Sequence, residues 1–385
     1  MRSCTAILLV ILFLAAALAA PALAQTAPAT REARNDWQIS VVTFGPGPVI
    51  FERYGHVAIR LKNDVRKVDV CYDWGNFSFD DPNFFGRFFK GDMRYWMEAK
   101  DSASMLRFYS ENADRTVVEQ VLNLTPAQSQ RLVNIIAAQD NDQDRHYLYD
   151  YFKDNCATRV RDVVDEATGN VLRERTKSDF TRHSYRWQNR RLVPVGAVNT
   201  VLATLMDFAF GPRNDPPLSR WDASFLPGVL AGELDVTQIS DGNGGVMPLV
   251  RERRLLKRTT APANAEPVHA FNPGYLTLPV GLLCGVFLVA LPTYSALAFK
   301  IAATLWELFA LLGTLFMSAL ILFTRHWVIA WNENLLQFTP LALVVILALW
   351  SRRLRARLRW AATAALGLSL LGILVTILPL TPQAR

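Results

Sequence analysis

Between residues 37 and 74 apolar and polar positions alternate with period two, in the runs "WQISVVTF" (37–44), "HVAIRL" (56–61) and "KVDVCYDW" (67–74). Successive strand side chains point to opposite faces, so each run predicts a strand with one buried face. In the second run Val57, Ile59 and Leu61 share one face and His56, Ala58 and Arg60 the other. The stretch "FSFDDPNFFGRFFKGDMRYWM" (77–97) is rich in aromatics but has no period, and predicts no regular element. The period then becomes helical. "LTPAQSQRLVNIIAAQ" (124–139) predicts a helix capped by Thr125, with Pro126 at its first position and Gln128 completing a capping box. Leu132, Ile135, Ile136 and Gln139 form its inner stripe. After the loop "DNDQD", Asp154 or Asn155 caps a second helix through Val160, Val163, Val164 and Ala167 to Gly169. Cys156 lies in its first turn, on the face of 160, 163 and 167, so its thiol points to the interior or to a cleft wall.

From residue 275 the pattern turns apolar in four blocks: Tyr275 to Pro292, Ile301 to Phe323, Leu335 to Trp350 and Ala361 to Leu380. Each approaches the roughly 17 to 25 residues that span a hydrocarbon core as a helix, the third being the shortest. The segment "SRRLRARLRW" (351–360) puts five arginines between the third and fourth blocks. By the positive-inside rule that loop is cytoplasmic, and the loop 324–340 and the domain before residue 275 lie on the far side. The N-terminus agrees: Arg2, an apolar run from Ala6 to Ala20 and the small-residue site Ala22-Leu23-Ala24 read as a secretory signal peptide over 1–24. One mixed domain is expected over 37–258, then a Pro/Ala-rich linker (259–274) and a transmembrane region (275–385). "RERRLLKR" (251–258) reads as a solvated basic edge or a contact for anionic head groups. The net charge of +7 comes largely from such membrane-flanking residues, and no aromatic-basic array suggests nucleic acid.

Without the signal peptide, Cys71, Cys156 and Cys284 are the cysteines that remain, too few for a disulfide scaffold or a zinc site of the CxxC type. The start of a helix favours a thiolate through its free N–H groups and dipole. A cysteine there also serves simply as a small buried hydrophobe. A nucleophile needs a base. Of the five histidines, His269 falls in the linker, His326 in the 324–340 loop, His146 on a surface turn and His183 among arginines. His56, after Gly55 at the start of a strand, is the remaining candidate.

A Gly-His opening a strand, followed about a hundred residues later by an Asn-Cys opening a helix, resembles circularly permuted papain-like thiol hydrolases, in the order found in lecithin:retinol acyltransferase and its relatives. More closely, "YGHVAIRL", "CYDWGNF", "LNLT" and "YFKDNCATRVRD", followed by the spans and "TRHWVIAWNENLLQFTPL", resemble the Lnb family. The resemblance implies an α+β, permuted papain-like (NlpC/P60-like) periplasmic domain followed by four transmembrane helices, in a multi-pass protein of the bacterial inner membrane.

It also implies lipoprotein N-acyltransfer without a cofactor or metal: a phospholipid donates an acyl chain, through a thioester, to the N-terminal cysteine α-amine of a lipoprotein. Cys156 would be the nucleophile, His56 its base, and Asp73, preferred over Asn76, the orienting group. Tyr54 and Asn155, beside the pair, are substrate-binding candidates. His326, Asn332 and Asn334 beside Trp327 and Trp331 are either an interfacial belt or contacts for a lipid or lipoprotein. Two rivals are a cell-wall peptide hydrolase with the same pair, and a non-enzymatic sensor or scaffold in which Cys156 is structural and bridged to Cys71.

Overall fold

The computed structural model describes residues 36–267 and 269–377, and the expected signal peptide lies outside them. Strands β1 (Gln38–Phe44), β2 (His56–Asn63) and β3 (Val68–Asn76) form where the period-two runs lie. With β4 (Arg94–Asp101), β5 (Val117–Leu122), β6 (His146–Leu148) and β9 (Val250–Lys257) they make an antiparallel sheet of order β6-β4-β3-β2-β1-β5-β9. A separate hairpin pairs β7 (Gln238–Ser240) with β8 (Val246–Pro248). The basic run 251–258 is thus mostly an edge strand, where charges keep an unpaired backbone from recruiting another chain.

Two cores line the sheet. On one face Val41, Val57, Ile59, Leu61 and Trp74 pack under the helices Pro126–Gln139 and Cys156–Thr168. The first helix has the expected Thr125–Gln128 capping box, and the second is capped by Asn155 and closed by Gly169 in the left-handed conformation. On the other face a smaller core joins Phe44, Ala58 and Cys71 to Met105 and Tyr109.

Three stretches differ from expectation. Within 77–97 a short helix, Phe84–Lys90, forms before β4, closed by Gly91 at φ +72°. Its pattern is masked in the sequence because none of its residues is buried, so no apolar stripe marks a period. The expected linker is bound to the domain: Arg53 donates to the carbonyls of Ala263 (2.6 Å) and Ala265 (3.4 Å), and Asn264 to those of Ala113 and Asp114 (both 3.0 Å). The basic loop of 351–360 shortens to 351–354, since the last helix already begins at Arg355.

Among the described residues, four helical segments are long and apolar enough to cross a membrane: Thr277–Tyr294, Ala296–Phe323, Glu333–Trp350 and Arg355–Leu374. The second starts earlier than its apolar block because Ser295 caps it, accepting from the N–H of Ala298. The third is α-helical only over Leu341–Trp350. That is about 15 Å of rise, so it reaches membrane length only with the 3₁₀ turn Glu333–Leu336. A third core, with Phe152, Tyr185, Phe210 and Phe225, takes in Met317 of the second span and Val328 and Ile329 of the loop after it. The sheet domain and the membrane helices are therefore packed together through shared apolar side chains.

Candidate active site

Asn155 fixes where the Cys156 helix begins. Its backbone is extended, and its Oδ1 accepts from the N–H groups of Ala157 (2.9 Å) and Thr158 (3.0 Å), while its own N–H donates to Thr158 Oγ1 (2.8 Å). Its Nδ2 donates to the carbonyls of Tyr151 (2.9 Å) and Phe225 (3.0 Å). Every polar group of this buried side chain is engaged in positioning the cysteine, which gives Asn155, expected as a substrate contact, a structural role. The cap takes the N–H groups of Ala157 and Thr158 and leaves that of Cys156 itself.

The Cys156 helix packs on the Val57/Ile59/Leu61 face, opposite the one that carries His56. The two residues nevertheless meet, because each opens its element at the same end of the sheet, and the Cys156 sulfur lies close enough to the imidazole to favour its charged form. Cys156 is 9% exposed. Gly75 lets the backbone turn beside it. The β3–β4 pairing slips between Trp74 and Asn76, and Gly75 in this bulge has φ +95°. A Cβ there would stand 3.8 Å from Cys156 Cβ. Gly55 does a similar service before His56: at φ +84° a Cβ would come within 2.9 Å of the Phe44 carbonyl oxygen.

His56 Nε2 lies 2.8 Å from Asp73 Oδ2, which leaves Nδ1 for the sulfur. Asp73 faces Ala58 across the β2–β3 ladder and so reaches His56 diagonally. Its carboxylate also accepts from Lys100 Nζ (3.0 Å) and Asn76 Nδ2 (3.0 Å), and Lys100 Nζ donates to Asn76 Oδ1 at 2.5 Å. Burial alone pushes the Asp73 carboxyl up, but the bonds and charges of His56 and Lys100 hold it below the usual carboxylate range. His56 moves the other way. Burial works against its charge, and the Tyr109 oxygen, the Cys156 sulfur and the Asp73 bond outweigh it, leaving the imidazole well above its ordinary value. The arrangement favours a charged imidazolium beside the Cys156 sulfur, with Asp73 fixing the ring.

Aromatic neighbours complete the surroundings. Tyr109 stacks on Phe44 (3.9 Å between centroids) and lies 5.9 Å from the His56 ring, with the Arg115 guanidinium 4.9 Å from its ring centre. Tyr147 places a buried hydroxyl, bonded to no protein group, 4.0 Å from the Cβ position of Gly75, on the side of Cys156. Burial and the nearby sulfur raise this phenol far above its ordinary value, so it stays an O–H donor.

The other expected residues are spread more widely. Tyr54 is half-buried, donates to Asn189 Oδ1 (2.7 Å), and lines a cavity of about 290 Å³ with Phe44, Gly55 and Pro227. His326 Nε2 bonds the Phe88 carbonyl (3.0 Å), Asn332 Nδ2 donates to the carbonyls of Phe208 (3.0 Å) and Ala209 (2.8 Å), and Asn334 Nδ2 to Phe208 (2.8 Å). Through these backbone contacts the three residues bind the loop to the domain. Cys71 lies in the opposite core with Sγ 3.4 Å from Ser102 Oγ, and both it and Cys156 are free, contrary to the bridged reading. Lys100, Tyr109 and Tyr147 were not singled out from the sequence. Only the period-two run of β4, which puts Glu98 and Lys100 on one face, carried any signal for them.

Fold and site together define an α+β domain with a buried Cys-His-Asp constellation, carried on a multi-pass membrane protein. Residues 26–190 match the family model of the Lnb N-terminal periplasmic domain. That match supports membership of the Lnb family and a periplasmic place for the sheet domain. No curated protein and no solved structure matches the chain.

Proposed function

We propose that this protein is an inner-membrane lipoprotein N-acyltransferase with a permuted papain-like thiol domain. The observation that carries the reading is a Cys156–His56–Asp73 constellation on a periplasmic domain packed against membrane-length helices. Both substrates of such a reaction are held in one bilayer leaflet, and a soluble peptide hydrolase would have no need of the anchor. The strand bearing His56 precedes the helix bearing Cys156, as in permuted papain-like domains.

The Cys156 thiolate attacks an ester carbonyl of a phospholipid. The tetrahedral oxyanion accepts hydrogen bonds from the Cys156 N–H and the Tyr147 hydroxyl. Collapse breaks the ester C–O bond, His56 gives its proton to the leaving oxygen, and lysophospholipid departs from an acyl-thioester. The α-amine of the lipoprotein's N-terminal cysteine then attacks the thioester. His56 takes the amine proton, the C–S bond breaks, and an amide and the free thiolate remain. Amide formation from a thioester is downhill, so no nucleotide is consumed.

The test is intact mass spectrometry of the detergent-purified protein after incubation with phosphatidylethanolamine, with and without neutral hydroxylamine. An acyl-sized, hydroxylamine-labile adduct that is absent from Cys156→Ala, and transferred to a diacylated lipopeptide, is expected. A reactive Cys156 that forms no adduct would overturn the reading in favour of peptide hydrolysis.

A further inference from the structure

Two solvent-facing apolar elements flank the domain where it joins the membrane helices. In the helix Phe84–Lys90, Phe85 and Phe89 are 65% and 58% exposed. The helix Gly196–Ala209 exposes Val198, Val201 and Leu205, spaced as one face. Exposed aromatic and aliphatic side chains in this number mark an interaction surface.

The same loop holds both. Lys90 and Phe88 carbonyls at the end of the first helix accept from the Arg325 N–H (2.9 Å) and pair with His326 Nε2 (3.0 Å). Phe208 and Ala209 carbonyls at the end of the second accept from Asn332, and Phe208 also from Asn334. These residues follow directly on the span Ala296–Phe323 and lead into the span Glu333–Trp350. Helix C-termini need donors for their last carbonyls, and here the donors sit where two spans leave the membrane. The occupant of the apolar faces is therefore the bilayer surface, continuous with the surface the spans already meet. Exposed Lys90 and Arg325 at the same end suit anionic head groups.

From the first helix a row of near-parallel rings leads inward. Phe84 stacks on Phe77 (5.6 Å), Phe77 on Tyr95 (5.0 Å) and Tyr95 on Tyr149 (4.3 Å). Tyr149 Cε2 lies 3.8 Å from the Cβ position of Gly75, the same distance as Cys156 Cβ.

We infer that the two helices seat in the outer bilayer surface and that the ring row guides a lipid acyl chain from there to Cys156. The guiding role rests on the proposed acyl transfer; the seating stands without it.

A photoreactive benzophenone amino acid placed at position 85, 89 or 205 tests the seating, in nanodiscs of phosphatidylethanolamine and phosphatidylglycerol. Position 312 in the second span serves as the lipid-facing control and position 65, an exposed residue in the β2–β3 turn, as the solvent-facing one. Phospholipid-mass adducts at 85, 89, 205 and 312 but not at 65 are expected. Adducts at 312 alone would overturn the seating, whether or not the protein forms a thioester. For the guiding role, the double variant Phe85→Asp/Phe89→Asp should form acyl-enzyme from bilayer phospholipid at least ten-fold more slowly. It should keep the wild-type rate with a monomeric short-chain ester and wild-type alkylation of Cys156 by iodoacetamide. An equal loss with both donors, or no loss with either, would overturn it.

Discussion

His56 turns Nε2 to the Asp73 carboxylate at 2.8 Å and so offers its other ring nitrogen to Cys156. The carboxylate in turn is held by Lys100 and Asn76, so the ring orientation depends on a network that spans three strands. Such a partner chooses both the tautomer and the basicity of the imidazole.

Replacing Asp73 with Asn therefore acts on His56 without touching the sulfur. Thioester formation in Asp73→Asn should fall by about 10²-fold, the lower range for a positioned acid–base group. Losing the Asp73 carboxylate removes one cause of the raised His56 value, so the limb of the thioester-formation pH profile that reports His56 should move to lower pH. A slower reaction with an unmoved profile would show that Asp73 acts only on packing.

Tyr147 separates oxyanion stabilisation from thiol activation. Its hydroxyl is bonded to no protein group, so Tyr147→Phe leaves no buried partner unsatisfied. Acyl-enzyme formation should drop by about 10²-fold or more, as for loss of one oxyanion donor, while the alkylation rate and its pH profile stay as in wild type.

Gly75 has a conformation that a side chain resists and lies beside Cys156. Gly75→Ala should cost about 1–2 kcal/mol of backbone strain. The expected result is a lowered thermal midpoint together with slower Cys156 alkylation. A lowered midpoint with unchanged alkylation would mean that the strain does not reach the cysteine.

Asn155→Ala removes a helix cap and leaves the carbonyls of Tyr151 and Phe225 without that donor. A loss near the upper end for caps, about 2 kcal/mol, is expected. Asn155→Asp, which keeps the cap oxygens but not the Nδ2 donor, should recover part of it in the same thermal measurement.

The site also couples folding to pH. His56 is raised in the folded protein, so its contribution is complete below the unfolded value of about 6.5 and disappears as pH rises through the folded value. Asp73 is lowered, so its contribution is present above about 3.9 and disappears as pH falls through its folded value. Thermal midpoints of wild type and His56→Ala should converge on the alkaline side, and those of wild type and Asp73→Asn on the acid side. Parallel curves would remove the linkage.

Short-range chemistry was legible in the chain. Period two marked β1 to β3, Thr125 with Gln128 and Asn155 with Gly169 bounded two helices, and apolar length marked the spans, because each depends on neighbours within a few residues. Cys156 and His56 could be paired by spacing and resemblance, and Asp73 by its place on the next strand. What only the tertiary structure decided is long-range. The sheet order, the bulge at Gly75 that lets a helix on one face present its cysteine to a histidine on the other, and the approach of Lys100, Tyr109 and Tyr147 leave no local period. The same holds for His326 and Phe88, 238 residues apart in sequence, whose bond ties the aromatic helix to the membrane loop. Such contacts exist only once apolar faces from distant segments have packed, and no short window of sequence records which faces those will be.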